Sequence, residues 1–155
     1  MSAFTCEPFS NLVQRHILTD HGPSYTAERA DDGRFDFFAS ADRWCRPVMS
    51  RTAPDGSLWV VDMYRYMIEH PHWLPPNGKQ ELKPHYYSGQ DKGRIFRITK
   101  KDHNHVWGSV TKNSPNGILR DLALKESFRN GYKAEWSKKD VLEGFQSKEV
   151  LHAAL

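Results

Sequence analysis

The stretch Ser40-Ala-Asp-Arg-Trp-Cys-Arg-Pro-Val48, followed by Ala53-Pro-Asp-Gly-Ser-Leu-Trp-Val-Val-Asp-Met-Tyr64, decides the predicted fold. Within it, Pro54-Asp-Gly56 is a turn signal, because proline presets φ, aspartate bonds its own backbone and glycine accepts a left-handed φ. A strand is predicted from Ser57 to Asp62, directly after this turn. Gly93-Arg-Ile-Phe-Arg-Ile98 alternates as a strand does and closes the pattern. The chain is therefore predicted to be mainly β, with short strands joined by tight turns.

This repeated pattern of strand, tight turn and strand is typical of the blades of a β-propeller. A propeller closes about 4 to 8 blades of four strands each, because radial repetition protects the edges of its sheets. The strands recognisable in this sequence are too few to close such a ring. We therefore predict a partial β-propeller, the last one to two blades of a longer protein.

Further strands and one long loop are predicted around this stretch. The additional strands cover 11–19, 24–29, 35–39 and 48–52, and the closing strand covers 94–99. The first two form a hairpin around His21-Gly-Pro23. Residues 63–90 are rich in proline and glycine and are predicted to be a loop, with one helical turn over 64–70. A loop of this length in a compact domain is usually functional or poorly ordered.

After Lys100 the pattern changes from strand to helix. Ser114-Pro115 predicts a helix start, with serine as the cap and proline in the first turn, and Asn130-Gly131 predicts its end. A second helix is predicted to open at Ser137, so the two would form a helical hairpin similar to the start of a HEAT-like region. The predicted domains are a partial propeller over 1–99, a linker over 100–112 and the helical hairpin over 113–155.

Composition and charge exclude several classes of protein. The formal net charge of +3 arises from 22 basic and 19 acidic residues scattered along the chain, which argues against a nucleic-acid-binding surface. No window approaches the ~18 apolar residues of a membrane span. The first residues also lack the pattern of a secretion signal.

Two cysteines, Cys6 and Cys45, are the only ones in the chain. They are too few for a disulfide scaffold or a four-cysteine zinc site. Each is expected to be a small buried thiol, and a bridge between them stays open for an exported protein. The absence of a Cys-x-x-Cys-His motif indicates that this chain carries no c-type haem.

An ordered set of short motifs resembles a known bacterial family. The motifs are Cys6-Glu-Pro8, Asn11-Leu-Val13 with Arg15, Ser40, Asp42, Trp44, Arg46-Pro-Val48, Pro54-Asp-Gly56, Val61-Asp62 with Tyr64, Glu69-His-Pro71 and Gly93-Arg-Ile95. Over about residues 4–99 they resemble the membrane-bound dehydrogenase domain of planctomycete-type bacteria, a propeller similar to the glucose and sorbosone dehydrogenases. HEAT-like helices and a c-type cytochrome module often follow that domain. Ser114-Pro-Asn-Gly117 with Arg120-Asp121 is similar to the beginning of those helices.

The resemblance implies an exported protein, periplasmic or extracellular, that oxidises a sugar or a similar alcohol. An alternative that it also implies is a non-catalytic propeller segment that binds a polysaccharide or a protein partner. The relatives use pyrroloquinoline quinone with calcium, and haem c would lie on a further module. No stretch of this sequence matches their cofactor-binding residues, so no cofactor is expected in this chain. The isolated chain is expected to lack catalytic activity.

Six side chains are candidates for a ligand-binding face, while the catalytic residues stay unknown. They are Asp62, Tyr64, Arg43, Arg46, His70 and Arg94. An acid at the end of a strand, such as Asp62, can accept a proton from a hydroxyl or help to hold a cation. In the alternative interpretation, Asp62 caps a turn and Tyr64 packs on a neighbouring blade. Arg46 is expected to anchor an anionic group, to brace a loop carbonyl or to pair with Asp42.

Two further patterns concern side-chain direction and metals. A strand over 43–46 would place Arg43 and Cys45 on one side and Trp44 and Arg46 on the other.

The pairs His70-Pro-His72 and His103-Asn-His105 are spaced so that two imidazoles can share an ion. A zinc site usually needs three or four protein ligands, and the spacing indicates no third one. No metal site is therefore predicted.

Overall fold

The computed structural model describes residues 1–31, 33–102 and 106–131. Within these ranges the chain is mainly β and forms two antiparallel sheets, which confirms the predicted class at this level. The strands are β1 (Ser2–Glu7), β2 (Leu12–His21), β3 (Ser24–Arg29), β4 (Phe38–Ala39), β5 (Pro47–Thr52), β6 (Leu58–Asp62) and β7 (Arg94–Ile98). The helices are α1 (Pro76–Leu82) and α2 (Gly117–Arg129), with short 3₁₀ turns at Pro71–Trp73 and Lys83–His85. None of them is long and apolar enough to cross a bilayer.

The described residues divide into two compact units. The first holds residues 1–51 and 57–102, and with them both sheets almost in full. The second holds residues 52–56 and 106–131, which include α2. Each unit is described by itself below.

The first sheet is built around the long strand β2. β1 pairs with β2 from Ser2↔Ile17 to Glu7↔Leu12, and β3 pairs with it from His16↔Arg29 to His21↔Ser24. Because the two pairings overlap on β2, β1 and β3 lie on opposite sides of that strand. The predicted hairpin between β2 and β3 is confirmed, and Gly22 opens its two-residue turn with a φ of +62°.

The second sheet has the order β5-β6-β7. β6 is its central strand, and it pairs with β7 from Leu58↔Ile98 to Asp62↔Arg94. The Pro-Asp-Gly turn joins β5 to β6, as predicted. The amide of Gly56 donates to the carbonyl of Ala53 over 2.9 Å, and Gly56 takes the left-handed φ of +77°.

One row of side chains from each sheet joins the two sheets. Cys6, Val13 and Phe38 are cross-strand neighbours in the first sheet, and Val60 faces Phe96 across β6 and β7. The rings of Phe38 and Phe96 meet with centroids 5.1 Å apart. Val13 and Val60 are both fully buried. Burial of a valine side chain contributes about 1.5–3 kcal/mol, so this row forms an important part of the core of the first unit.

Several predicted elements differ from the observed ones. The strand predicted over 35–39 is confined to Phe38–Ala39, and β1 was not predicted. The helical turn predicted over 64–70 is wrong, because Tyr64 takes a left-handed φ of +52° and the backbone is irregular up to His70. Part of the loop predicted over 63–90 is ordered as α1 and the two 3₁₀ turns.

The helix α2 begins two residues later than predicted. Its cap is Asn116, whose Oδ1 accepts from the amide of Ile118 over 3.0 Å, while Ser114 Oγ accepts from the amide of Asn116 over 3.2 Å. Pro115 therefore precedes the helix. The predicted end at Asn130-Gly131 is confirmed, since Asn130 is the C-cap and Gly131 has a φ of +77°. The second predicted helix, from Ser137, lies outside the described residues.

Contacts within the second unit hold α2 in place. Leu119, on its buried side, lies so close to Gly108 that a Cβ there would stand 2.6 Å from Leu119 Cδ1. Asn116 Nδ2 donates to the carbonyl of Ala53 over 2.7 Å. The capping amide thus serves both the helix and the segment 52–56.

Candidate functional site

Four of the six candidate residues meet around the buried carboxylate of Asp62. Asp62 stands at the end of β6, and its side chain is 0% exposed. Asp42, Cys45, Arg46, Tyr64 and Arg94 surround it, and we call these six residues the Asp62 cluster. A buried carboxylate needs several hydrogen-bond donors to offset the loss of water.

Both carboxylate oxygens of Asp62 accept hydrogen bonds from the protein. Oδ1 accepts from the backbone amides of Arg46 over 2.6 Å and of Tyr64 over 2.8 Å. Oδ2 accepts from Nε of Arg94 over 2.8 Å. The thiol of Cys45 lies beside this carboxylate, which helps to raise the pKa of the thiol. Asp62 therefore caps a turn, as one of its two sequence interpretations had it, and also ties three separate segments together.

Arg94 links the buried acid to the surface of the unit. Its Nη2 donates to Asp42 Oδ2 over 3.0 Å, so one guanidinium serves two carboxylates. The same guanidinium carbon lies 4.6 Å from the ring centroid of Tyr64 and 4.9 Å from that of Phe96. Stacking on aromatic faces is a typical use of arginine, and here it fixes the plane of the guanidinium.

The electrostatics of the cluster favour the charged forms of Asp62 and Arg94. Burial alone would raise the pKa of Asp62, but hydrogen bonds from the Arg46 amide, the Arg94 guanidinium and the Tyr64 amide outweigh it and hold this pKa below its usual range. The hydrogen bond to Asp62 raises the pKa of Arg94 in turn. Burial, followed by the nearby Asp62 carboxylate, raises the pKa of the Cys45 thiol. Cys45 is therefore kept as a neutral thiol.

The segment 40–46 is a turn, so the side-chain alternation that a strand over 43–46 would give is not observed. Ser40 Oγ accepts from the amide of Asp42 over 3.1 Å, and Asp42 Oδ1 accepts from the amide of Trp44 over 3.0 Å. The amide of Cys45 closes the turn onto the carbonyl of Asp42 over 2.9 Å. Short polar side chains bonded to their own backbone in this way compete with strand pairing. The alternation expected from Arg43 to Arg46 does not apply in a turn.

Arg46 braces loop carbonyls, which is one of the roles considered from the sequence. Nε donates to the carbonyl of Arg65 over 3.0 Å, and Nη2 donates to that of Tyr66 over 2.9 Å. Nη1 donates to the carbonyls of Pro8 over 3.0 Å and Phe9 over 3.3 Å. Each nitrogen of this guanidinium thus has a backbone partner inside the protein. Arg46 holds the turn after β1 against the segment after β6.

Tyr64 is held in a strained conformation by its surroundings. Its left-handed φ of +52° is uncommon for a residue other than glycine. Its ring packs on Trp44, with centroids 5.7 Å apart, and beneath Arg94. Gly89 lies against its backbone, where a Cβ would stand 2.5 Å from the Tyr64 carbonyl oxygen. The segment around Gly89 therefore supports the geometry of the cluster.

The remaining two candidates lie outside the cluster. Arg43 is exposed, and its carbonyl accepts from Asn11 Nδ2 over 3.3 Å. His70 is also exposed and stacks on His72, with ring centroids 5.1 Å apart. The other histidine pair, His103 and His105, lies outside the described residues.

The place of Cys45 in this cluster was not predicted, and Asp42 was predicted only as a partner for Arg46. The sequence did contain a signal for the turn at Asp42. In Ser40-x-Asp42-x-Trp44, each short polar side chain can accept a hydrogen bond from the backbone amide two residues later. The position of Cys45 depends on contacts that no local pattern reveals. Asn11 was missed as well; it takes a φ of +60° and donates from Nδ2 to the carbonyl of Cys45.

Comparison with known proteins identifies one family for this chain. Residues 1–102 match the model of DUF7133, which is described as a domain of unknown function. The chain belongs to the DUF7133 family. The matched region contains both sheets and the whole Asp62 cluster, whereas α2 lies beyond it. No curated protein and no solved structure matches the chain.

The Asp62 cluster of this DUF7133 domain does not fit calcium or a quinone cofactor. Calcium takes six to eight oxygen ligands. Both carboxylate oxygens of Asp62 already accept hydrogen bonds from protein donors. The positively charged guanidinium of Arg94, which contacts this carboxylate, would also repel a cation. The Arg46 guanidinium, which might have held an anionic cofactor, is directed at carbonyls. Across 1–31, 33–102 and 106–131, no three His, Cys, Asp or Glu side chains are grouped to hold a metal ion.

Proposed function

We propose that this chain is an architectural segment of a β-propeller in a longer, exported protein similar to the sugar and alcohol dehydrogenases. In this proposal the chain supplies blade structure and does not catalyse a reaction alone. The longer protein acts on a sugar-like molecule in the periplasm or outside the cell. Pyrroloquinoline quinone with calcium, and haem c, are bound by other segments of that protein.

The proposal rests above all on the open edges of the two sheets. β3 pairs with β2 alone among the described strands, and all six of its residues are exposed. β5 and β7 are the outer strands of the second sheet. Open edges are a liability that a closed ring of blades removes or protects. Neighbouring blades would supply that protection.

Apolar side chains on the outer strands support the same proposal. Val48 and Met49 on β5 are exposed, and Ile95 on β7 is 61% exposed. Val48 and Met49 are consecutive on β5, so they leave apolar side chains on both faces of this outer strand, and exposed apolar surface of this kind is compatible with cover by another part of a protein. In a propeller the next blade packs on such a face. The packing of the two sheets through Phe38 and Phe96 is compatible with adjacent blades.

The assignment as a non-catalytic segment rests on the Asp62 cluster. A general base must reach the proton that it abstracts, and a metal ligand needs a free lone pair directed at the ion. The Asp62 carboxylate is buried, and its oxygens are hydrogen-bonded to protein donors. Its role in this proposal is to fix the turn 42–45 and the end of β6.

The direct test is an assay of dye-linked sugar oxidation by the purified chain of 155 residues. The assay contains glucose or sorbosone, pyrroloquinoline quinone and calcium, and a reaction without protein serves as the blank. We expect no turnover above the blank. Turnover by this chain alone that is lost in Asp62→Asn would overturn the assignment as a non-catalytic segment.

A second candidate function is the non-catalytic binding of a polysaccharide. One observation favours it: Trp73 is 83% exposed in the segment after β6. An exposed aromatic ring offers an apolar face with a polar tip, which suits stacking on a sugar ring. Electrophoresis through gels that contain soluble polysaccharides tests this function. Retardation that is lost in Trp73→Ala but kept in Phe35→Ala, a control at another exposed ring, would support it.

A further inference from the structure

A cavity of about 460 Å³ lies in the segment that follows β6. Its walls come from the irregular backbone before α1, from α1 and from the 3₁₀ turn after it. The lining residues are Met67, Leu74, Lys79, Leu82, Lys83, Tyr86 and Tyr87. Cavities that bind small molecules have this size and are lined mainly by apolar and aromatic side chains. None of these residues belongs to the Asp62 cluster.

The cavity has an apolar interior. Met67 is buried, with 6% exposure, and Leu74, Leu82 and Tyr86 are half-buried. Leu82 is the last residue of α1, and Tyr86 follows the 3₁₀ turn Lys83–His85; the side chains of both line the cavity. These four side chains can enclose an aromatic or aliphatic group.

The rim of the cavity is positively charged. Lys79 and Lys83 are also four residues apart, and both are exposed. Neither ammonium forms an ion pair with any carboxylate in the described part of the chain. No acidic side chain lines the cavity. Two ammonium groups on consecutive turns repel one another, and an anion between them would relieve that repulsion.

We propose that this cavity binds a small organic anion with an aromatic body and one carboxylate. The body fills the space over Met67, Leu82 and Tyr86, and the carboxylate lies between Lys79 and Lys83. The mobile lysine side chains provide charge, while the tyrosine rings provide apolar contact and a hydroxyl. This site is independent of the proposed propeller function.

Lysines at this position have a second physical use, which the experiment must separate from ligand binding. Lys79 lies in the last turn of α1 and Lys83 is its C-cap, where positive charge complements the helix dipole. A purely structural role would make the lysine substitutions affect helix stability alone. The charge of the bound molecule would then have no influence on its affinity.

The test is NMR of the full chain with ¹³C-labelled methionine methyl groups, titrated with 4-phenylbutyrate and with its neutral analogue 4-phenyl-1-butanol. The chain has four methionines, and Met67 reports from the cavity while Met49 on β5 is an internal control. Met67→Leu assigns the signal. We expect a saturable shift of the Met67 methyl with phenylbutyrate, at least tenfold tighter than with the alcohol.

We expect the double variant Lys79→Met with Lys83→Met to bind phenylbutyrate at least tenfold more weakly than the parent chain. Its affinity for the alcohol should stay the same as that of the parent chain. Lys92→Met, at an exposed lysine outside the cavity lining, is the matched control and is expected to bind as the parent does. Circular dichroism checks that each variant is folded. Equal affinities for acid and alcohol in the parent chain, or no saturable shift of Met67, would overturn the proposal. An equal loss in Lys92→Met would overturn it too.

Discussion

Arg94 and Asp62 are cross-strand partners whose side chains are joined by a hydrogen bond of 2.8 Å between Nε and Oδ2. The pair closes the end of β6 against the beginning of β7. Asp62 is fully buried, whereas the Arg94 side chain is 41% exposed and also reaches Asp42. The buried acid thus connects the sheet to the turn 42–45 through a cation at the surface.

Replacement of Asp62 by asparagine is expected to destabilise the fold by about 2–4 kcal/mol. The amide cannot accept from all the donors that surround Asp62, and hydrogen bonds to charged groups contribute about 1.5–3 kcal/mol each. Urea denaturation of both chains measures the difference. The matched control is Asp36→Asn, which breaks the more exposed pair with Arg29 and should cost about 1 kcal/mol or less. Equal losses in the two variants would contradict the role of the cluster.

Acid is expected to unfold the chain partly through Asp62. Its pKa is lowered in the folded state, so the unfolded state takes up the proton first as the pH falls. The stabilisation is fully present above the unfolded pKa of about 3.9 and is lost as the pH falls through the lower folded pKa. The free energy of unfolding, measured between pH 2 and 6, should fall less steeply below pH 4 in Asp62→Asn. Parallel curves would refute this assignment.

Cys45 is expected to react slowly with thiol reagents in the folded chain. It is fully buried, and burial raises the pKa of its thiol, so little thiolate is present at neutral pH. In a Cys6→Ala chain, Ellman's reagent at pH 8 should modify Cys45 only after urea is added. The reciprocal Cys45→Ala chain tests Cys6, which is half-buried and should react sooner. Fast modification of Cys45 without urea would show that the cluster is open to solvent.

Because the pKa of the Cys45 thiol is raised in the folded state, the folded chain is expected to lose stability at alkaline pH. A thiol that stays neutral in the folded state stabilises it fully below the unfolded pKa of about 8.5, and this contribution is lost as the pH rises through the higher folded value. The melting temperature between pH 8 and 10 should therefore decline less in Cys45→Ala than in the parent chain. An unchanged decline would assign the effect to other groups.

Gly89→Ala is expected to cost more stability than Gly22→Ala. Both glycines have a positive φ, so each alanine carries a backbone penalty of about 1–2 kcal/mol. At Gly89 the new Cβ would also stand 2.5 Å from the Tyr64 carbonyl oxygen, whereas nothing lies within 4 Å at Gly22. Overpacking of this kind adds about 1–3 kcal/mol. Thermal melts of both variants give the comparison, and equal shifts would contradict the close approach of Gly89 to Tyr64.

Local signals predicted much of the fold but little of the site. Alternating residues and the Pro54-Asp-Gly56 turn predicted β6 and β7, because strand period and turn chemistry are properties of neighbouring residues. β1 was not predicted, although its partners on β2 lie only about five to fifteen positions away along the chain. Asp62 was found as the acid that ends a strand. Its contacts with Arg94, Cys45 and the amide of Arg46 join distant segments, so no spacing in the sequence could reveal them.

Hydrogen exchange at β3 shows whether the first sheet ends in an open edge, on which the assignment as a propeller segment depends. The amide of Ala30 donates to the carbonyl of Arg15, so the alternation of antiparallel pairing directs the amides of Thr26 and Glu28 toward β2. Those of Tyr25, Ala27 and Arg29 point away from it. We predict slow exchange for Thr26 and Glu28 and fast exchange for the other three in the isolated chain. Equal protection of all five amides would mean that this chain covers the edge itself, which would contradict the assignment as a propeller segment.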